Sequence, residues 1–363
     1  MRVVVIAEPG PARGASQAPD GSLLGRGVAG GWAEQAPHDD VETYLVCDGR
    51  AGFTDALGAI AERTEPVLIA APTGEQLPAQ IVLAGGTAYV EVAEVVGAHR
   101  DLTGVAPSIA DSSAAVGELM LAARATGADR IVVGVGNDVS CHDGGAGLLA
   151  ALGAGTDLAG LPQVICEWST VTLVLATASL GALTGFNGAS ASLQSERGVD
   201  AATAQAYEAR IGAFVDSVDA VLRTSADDRL DLLTGAPVRR ERTPGAGVGG
   251  GIGYALQLLG ASTIPGAAFV LSELSVTDRL PGALIVLVTG RYDWHSVAGG
   301  VVAAAAAAAL EVAAPAVLLA DEVMVGRREG MSLGIGSTYA RRPGERPEQF
   351  GARVARTWSP PPR

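Results

Sequence analysis

One glycine-rich segment constrains the fold of this chain more than any other feature of its sequence. It spans Gly134–Gly147, follows the apolar run Ile131–Val133 and is followed by the apolar run Leu148–Leu152. This order predicts a strand, a loop and the start of a helix. Glycines let backbone N–H groups approach a ligand, and a helix N-terminus adds partial positive charge. The segment is predicted to bind an anion such as a phosphate, although many glycine-rich loops are only tight turns.

A second glycine-rich segment, Pro244–Gly253, follows about a hundred residues later. Neither segment fits the dinucleotide-binding fingerprint or the Walker phosphate loop. The sequence contains no lysine, because all 25 of its basic residues are arginine. A lysine-based phosphate clamp is therefore excluded, which leaves backbone amides, arginine and metal ions to neutralise a negatively charged ligand.

Short β-branched runs alternate with helical patterns along the chain, which predicts an α/β fold with a largely parallel sheet. Ligands of such folds bind at the carboxyl ends of the strands, where Glu8, the first glycine-rich segment and residues 290–293 are expected. The predicted strands are Val3–Ala7, Val67–Ala70, Ile131–Val133, Val171–Ala176, Ile285–Val288 and Val317–Leu319. The predicted helices are Ala56–Arg63, Ser113–Thr126, Ala201–Leu222 and Gly300–Val312.

The composition of the chain limits the classes of partner that it can bind. The 363 residues, 48% of them hydrophobic, are enough for two domains that each have a hydrophobic core. A net charge of −14 argues against nucleic acid and against an anionic membrane surface as partners. Three scattered cysteines suggest no disulfide framework, so a reducing, cytoplasmic setting is expected. The apolar stretch Val301–Ala320 is predicted to be an alanine-rich helix followed by a strand, because it carries Glu311 and Pro315.

Asp143 is the first candidate for chemistry, since it lies inside the first glycine-rich segment at the start of the predicted helix. A carboxylate at this position could accept a proton from a substrate hydroxyl or hold Mg²⁺, as phosphoryl transfer requires. It could equally serve as the N-cap of the helix Gly144–Leu152, a position that aspartate favours. Both roles stay open.

A second candidate cluster follows the predicted strand Ile285–Val288. Asp293, His295 and Arg291 lie in the segment Gly290–Ser296, where the arginine could hold a carboxylate or phosphate through two hydrogen bonds. An ordinary polar loop with a capping aspartate would have the same sequence. His38 and His99 show no metal-ligand spacing, and no serine nucleophile elbow is present.

These motifs, taken in order, resemble the bacterial ATP-dependent glycerate kinase family. Its members carry Gly-x-Gly-Gly-Ser-Ala-Thr-Asn-Asp-Gly-Gly-Ala-Gly after a strand, which Gly134–Gly147 resembles with one extra residue. They later carry Pro-Gly-Ala-Gly-Ala-Ala-Gly-Gly-Leu-Gly, which Pro244–Gly253 matches closely. Resemblance in order and spacing extends over roughly residues 1–340.

The resemblance implies a glycerate-kinase-like fold of two α/β domains. A discontinuous Rossmann-like domain would comprise residues 1–72 and 275–340, a central α/β domain residues 73–274, and a flexible tail residues 341–363. The implied partners are ATP, Mg²⁺ and a small organic acid, with transfer of the γ-phosphoryl group to a hydroxyl of glycerate or a related acid. The oligomeric state is left open, with a homodimer as one option.

The resemblance also suggests roles for particular residues. Asp143 and Asp293 become the catalytic and Mg²⁺-binding candidates. The candidates for binding substrate or phosphate are Gly136, Ser140, His142, Gly144, Gly145, Gly245, Gly247, Gly249, Gly250, Arg291, His295 and Ser296.

Several charged positions of the family pattern differ in this chain. The lysine motif expected after the first strand is replaced by Glu8 and Pro9, and the acid of Gly-Glu-Gly-Arg is replaced by Thr289. His142 replaces the asparagine before the loop aspartate. The sequence therefore leaves three hypotheses: an active kinase, a kinase with a changed acceptor, or a catalytically inactive homologue that binds a small ligand or another protein.

Overall fold

The computed structural model describes residues 1–9, 21–70, 74–97, 112–224 and 239–359. In these ranges the strands are β1 (Arg2–Ala7), β2 (Asp40–Leu45), β3 (Arg63–Ala70), β4 (Gln76–Ala84), β5 (Thr87–Glu91), β6 (Arg130–Gly134), β7 (Thr172–Thr177), β8 (Ser262–Pro265), β9 (Leu284–Tyr292), β10 (Ala316–Val323) and β11 (Ile335–Ala340). The helices are α1 (Gly21–Gln35), α2 (Phe53–Leu57), α3 (Ala93–Val96), α4 (Ala114–Ala125), α5 (Ala146–Leu149), α6 (Leu161–Trp168), α7 (Ala189–Arg197), α8 (Ala201–Thr224), α9 (Val248–Leu258), α10 (Gly266–Glu273), α11 (Trp294–Ala298), α12 (Gly300–Glu311), α13 (Arg327–Ser332) and α14 (Pro347–Trp358).

The chain divides into two compact units. The terminal unit comprises Met1–Asp48, Asp55–Ile60 and Pro265–Arg363, and the central unit comprises Gly49–Thr54 and Ala61–Ile264. These bounds differ from the predicted domains. Strand β3 belongs to the central unit instead of the terminal one, because it pairs antiparallel with β4 along its whole length.

The terminal unit is built on a five-stranded sheet of order β11-β10-β9-β1-β2. Every described strand pair in it is parallel. Consecutive β-branched and leucine side chains make β1 and β9 apolar on both faces, as expected of parallel strands covered by helices on both sides. The order of the strands reverses between β1 and β9, so the carboxyl ends of these two strands form the topological switch point of the sheet.

The central unit is built on a six-stranded sheet of order β3-β4-β5-β6-β7-β8. Strands β3, β4 and β5 are antiparallel neighbours, whereas β5, β6 and β7 run parallel. The first glycine-rich segment begins at the end of β6, so it lies at the carboxyl ends of the parallel strands. The predicted α/β fold with largely parallel sheets is confirmed.

The structure differs from the sequence predictions in three segments. The predicted helix Ala56–Arg63 is replaced by α2, a single 3₁₀ turn and the start of β3. In place of the predicted helix Gly144–Leu152, the α-helix α5 spans only Ala146–Leu149. The π-helical turn Ala150–Ala154 follows it. Residues 341–359 are not a flexible tail, since they contain α14; residues 360–363 lie outside the described ranges.

Helix α14 is held by a close crossing with α1. A Cβ atom on Gly31 would lie 1.8 Å from the carbonyl oxygen of Glu348, and one on Gly351 would lie 2.1 Å from that of Val28. Phe350 is fully buried, and the Trp358 indole donates a hydrogen bond to the Tyr339 hydroxyl. The apolar residues of α14 therefore complete the core of the terminal unit.

Candidate functional site

The two glycine-rich segments, residues 134–147 and 244–253, pack against each other in the central unit. The amide of Gly144 donates a 3.0 Å hydrogen bond to the carbonyl of Gly250. A Cβ atom on Gly250 would lie 2.4 Å from the carbonyl oxygen of Cys141, and one on Gly251 would lie 2.4 Å from the Cα of Gly144. Gly249, Gly250 and Gly251 also have positive φ angles of 63°, 64° and 103°. Only glycine fits this contact, so the segments form one structure.

The other glycines predicted to bind ligand lie where a neighbouring atom leaves no room for a Cβ atom or where the φ angle is positive. Gly247 donates to the carbonyl of Gly181, and its Cβ would lie 2.2 Å from the carbonyl oxygen of Ala182. A Cβ atom on Gly136 would lie 2.2 Å from Oδ1 of Asp138. Gly145 and Gly245 have φ angles of 82° and 85°. The second segment is thus bonded to the loop that follows β7 as well as to the first segment.

Asp143 caps two helices at once. Its Oδ1 accepts from the Gly145 amide at 2.9 Å, and its Oδ2 accepts from the Gly147 amide at 3.0 Å, both at the start of α5. Oδ2 also accepts from the Ser113 amide and hydroxyl at 3.0 and 2.9 Å, at the start of α4, and from the Ser112 hydroxyl at 3.4 Å. The expected capping role is therefore present, and most of the acceptor capacity of this carboxylate is in use.

Ser140 and His142 direct their polar atoms into the central unit. The amide and the hydroxyl of Ser140 both donate to the carbonyl of Val96. The His142 ring is buried, with Nε2 3.0 Å from the Ser190 hydroxyl and its edge against Tyr207. Burial, together with the charges of Arg197 and Arg210, lowers the pKa of His142 to about 4. The imidazole is therefore neutral at pH 7 and has a structural role.

Asn137 and Arg197 hold the first glycine-rich segment, although no sequence motif indicated them. The Asn137 side chain accepts from the Gly249 amide at 3.3 Å and so links the two segments. Arg197, at the end of α7, donates to the carbonyls of Asn137 and Val139. Burial lowers the pKa of this guanidinium, which nevertheless remains a cation beneath the segment.

Glu91 ends strand β5 and is the central unit's most perturbed acid among the described residues. Burial, reinforced by the negative charge of Glu94, raises its pKa to about 8. Thr54 Oγ1 lies 3.2 Å from Glu91 Oε2 and 3.0 Å from Glu94 Oε1, and it accepts from the Gln80 amide. One hydroxyl proton cannot serve both carboxylates. A protonated Glu91 that donates to Thr54, while Thr54 donates to Glu94, satisfies all these groups.

The second predicted cluster lies in the terminal unit, at the end of β9. Asp293 caps α11 by accepting from the amides of His295 and Ser296 at 2.9 and 3.2 Å. The Ser296 hydroxyl donates to the carbonyl of Arg291, whose guanidinium pairs with Glu322 at 2.9 Å. The ring of His295 is exposed. The structure brings these four residues together, with the aspartate in the capping role that the sequence left open.

Thr289 and Glu8 meet at the switch point of the terminal sheet. The Thr289 hydroxyl donates to Glu8 Oε2 at 2.6 Å, which links the end of β9 to the end of β1. The ends of these strands are where open α/β sheets bind ligands. Glu8 was expected from the sequence at this edge of the sheet, whereas Thr289 was recognised only as a departure from the family pattern.

Fold and site together define a two-unit α/β protein whose glycine-rich segments lie at the carboxyl ends of parallel strands. The family model described as the glycerate kinase family matches residues 22–350. The chain belongs to the glycerate kinase family.

Individual relatives agree with this assignment. The chain is 34% identical over 315 residues to an uncharacterised protein of Mycobacterium bovis, covering 85% of this chain and 77% of that protein. It is 25% identical over 306 residues to the glycerate 2-kinase of Escherichia coli K12, covering 77% of this chain and 76% of that enzyme. A crystal structure of a protein assigned as glycerate kinase 2 from Salmonella typhimurium LT2 superimposes with a TM-score of 0.70 at 22% identity. It covers 99% of this chain and 98% of that one, so the folds agree.

Two further properties concern membranes and metals. No helix in the described ranges is long and apolar enough to cross a membrane. Within the same ranges, no group of three or more His, Cys, Asp or Glu residues could hold a metal ion.

Proposed function

We propose that the chain is a glycerate-kinase-like phosphotransferase that moves the γ-phosphoryl group of ATP to a hydroxyl of glycerate or a related small hydroxy acid. The contact between the two glycine-rich segments carries this proposal. Glycines without room for a Cβ atom let the two segments pack backbone to backbone at the carboxyl end of β6, the edge where α/β sheets bind ligands. Family membership supplies the reaction class.

In this reaction the bond between the γ-phosphorus and its bridging oxygen breaks, and a bond from the substrate oxygen to phosphorus forms. The substrate hydroxyl proton must leave. Asp143 is the proposed acceptor, since its weakest contact, the 3.4 Å one from the partly exposed Ser112 hydroxyl, can be exchanged for a substrate hydroxyl. Its remaining contacts would hold the carboxylate in place during that exchange.

A protein-held Mg²⁺ does not fit the residues present. Asp143 accepts hydrogen bonds at both carboxylate oxygens and Asp293 accepts them at Oδ1, and in the described ranges no group of three or more His, Cys, Asp or Glu residues could hold a metal ion. We therefore assign no step to an ion held by these residues. Mg²⁺ belongs to the proposal as part of the Mg-ATP substrate.

A non-catalytic ligand-binding role is the second candidate, and a specific observation favours it. Both predicted catalytic acids serve as helix caps, and Thr289 occupies the position of a family acid. Each loss of a well-placed charged group commonly costs about 10²–10³-fold in rate.

Release of ADP from Mg-ATP in the presence and absence of D-glycerate separates these candidates. Asp143→Asn should abolish glycerate-dependent ADP release. The side-chain NH₂ group of the new asparagine would also face N–H donors, which would loosen the starts of α4 and α5. Ser113→Ala is therefore the matched control, because it removes the hydroxyl that donates to Asp143 and accepts from the Leu148 amide, and it keeps the carboxylate. No ADP release from the folded wild-type protein, with D-glycerate still raising its melting temperature, would favour the binding role.

A further inference from the structure

The loop that follows β7, residues 178–188, exposes an aromatic side chain. The Phe186 ring is 95% exposed, which is unusual for phenylalanine. A single exposed apolar residue does not define a site. The contact made by its neighbour, Gly185, is the second and independent observation.

The guanidinium of Arg242 rests on the backbone of Gly185. A Cβ atom at Gly185 would lie 2.3 Å from Nη1 and 3.2 Å from Nη2 of Arg242, and the φ angle of Gly185 is 109°. The positive φ angle favours glycine at this position. The arginine side chain is 47% exposed where it contacts Gly185.

Arg242 keeps donors available for a ligand. Its Nε faces Glu241 at 3.8 Å, and that carboxylate already accepts from Arg239 at 2.9 Å. Among the residues that the structure describes, none accepts a hydrogen bond from Nη1 or Nη2 of Arg242. A half-exposed guanidinium with free donors is suited to a phosphate or carboxylate.

This loop is fixed to the second glycine-rich segment by backbone hydrogen bonds. The Leu183 amide donates to the carbonyl of Glu241 at 2.8 Å, and the Gly247 amide donates to the carbonyl of Gly181 at 2.9 Å. The Gly185 amide donates to Glu208 at 2.6 Å. Phe186 follows Gly185 directly and the Arg242 guanidinium contacts Gly185, so both residues belong to a framework continuous with the glycines.

We infer that Phe186 and Arg242 form the subsite for the nucleotide, with its base stacked on the Phe186 ring and its phosphates bound by Nη1 and Nη2 of Arg242. A base offers a π face that an exposed aromatic ring can cover. Its phosphates attract cations, and arginine is the only permanently charged cationic side chain in this lysine-free sequence. The inference rests on the proposed function, because it assigns the place of the phosphoryl donor.

Three probes test the two halves of the subsite separately: adenosine, inorganic tripolyphosphate and ATP, with dissociation constants measured by calorimetry. Phe186→Ala should weaken adenosine and ATP about 5- to 100-fold and leave tripolyphosphate unchanged. Arg242→Gln should weaken tripolyphosphate and ATP about 10- to 100-fold and leave adenosine unchanged. Arg239→Gln removes an equal charge that faces Glu241 instead, and it should leave all three unchanged.

The outcomes distinguish this inference from the proposed function. Equal ATP affinity in all four proteins would overturn the subsite, whatever the wild-type protein does with glycerate. Absence of ATP binding by the wild type would overturn it as well. Weaker ATP binding in the pattern above, with no glycerate-dependent ADP release, would support the subsite and contradict the phosphotransferase.

Discussion

Glu91→Gln should remove a pH dependence of stability that the structure builds into the central unit. The folded pKa of Glu91 is raised to about 8 from 4.5, so between these values the folded state holds a proton that the unfolded state has lost. The contribution of Glu91 to stability therefore falls as pH rises through this window, by about 1.4 kcal/mol per pH unit for one proton. From pH 5 to pH 7 this contribution decreases by about 2–3 kcal/mol.

Glutamine keeps the geometry of Glu91 without its titration. With its amide oxygen at the Oε1 position, glutamine can accept from the Gly52 amide at 3.1 Å, and its NH₂ group at the Oε2 position can donate to the Thr54 hydroxyl, as the protonated acid does. The Thr54 amide, which donates to Oε2 at 3.2 Å, then faces this NH₂ group, so the variant loses some stability at every pH. Relative to the wild type it should gain stability as pH increases.

Protection factors from hydrogen exchange in core amides of the central unit, at pH values from 5 to 8, measure this effect. They are corrected for the intrinsic pH dependence of exchange. The difference between variant and wild type cancels other titrations, including that of His142, whose lowered pKa makes stability fall below pH 6.5. Glu62→Gln, at an exposed carboxylate that accepts from Gly85, is the control. Equal pH slopes in wild type and Glu91→Gln would refute the assignment of the proton to Glu91.

Three further substitutions test the packing, one of them as a control. Gly250→Ala should destabilise the central unit by about 2–4 kcal/mol, because it combines a positive φ with a Cβ 2.4 Å from a carbonyl oxygen. Gly212→Ala is the control, because a Cβ atom there lies in open space within α8, and it should stabilise the central unit by about 0.5–1 kcal/mol. Free energies of unfolding are measured with urea. Equal effects of the two substitutions would contradict the close contact at Gly250. Phe350→Ala should destabilise the terminal unit by about 3–5 kcal/mol in the same assay, whereas a mobile tail would give no change.

Local sequence patterns predicted the buried strands of the fold. The strands β1, β6, β9 and β10 are continuous apolar runs. Such runs are typical of strands in a parallel sheet that helices cover on both faces. Helix α14 was missed because Arg and Pro dominate the composition of residues 341–363. The spacing of Phe350 and Val354, one helical turn apart after Pro347, was the available signal.

The site was less predictable because its contacts join residues far apart in the sequence. Asn137 becomes important only when Gly249 is folded against it, and Arg242 only when Gly185 lies beneath it. Glu91 looks like any acid at a strand end until Thr54 and Glu94 surround it. Glycines were informative in the sequence because their missing side chains are required wherever two backbone segments meet closely.

Asp143 changes where a phosphate can bind. The N-terminus of the helix after the first glycine-rich segment was the expected anion site, but the amides of Gly145 and Gly147 already donate to this carboxylate. A phosphate there would compete with a covalently attached anion and suffer its repulsion. The donor's phosphates must then be held by another part of the central unit. Arg242, two residues before the second glycine-rich segment, is a half-exposed cation that can attract them, and its substitution is therefore the sharper test of where the nucleotide binds.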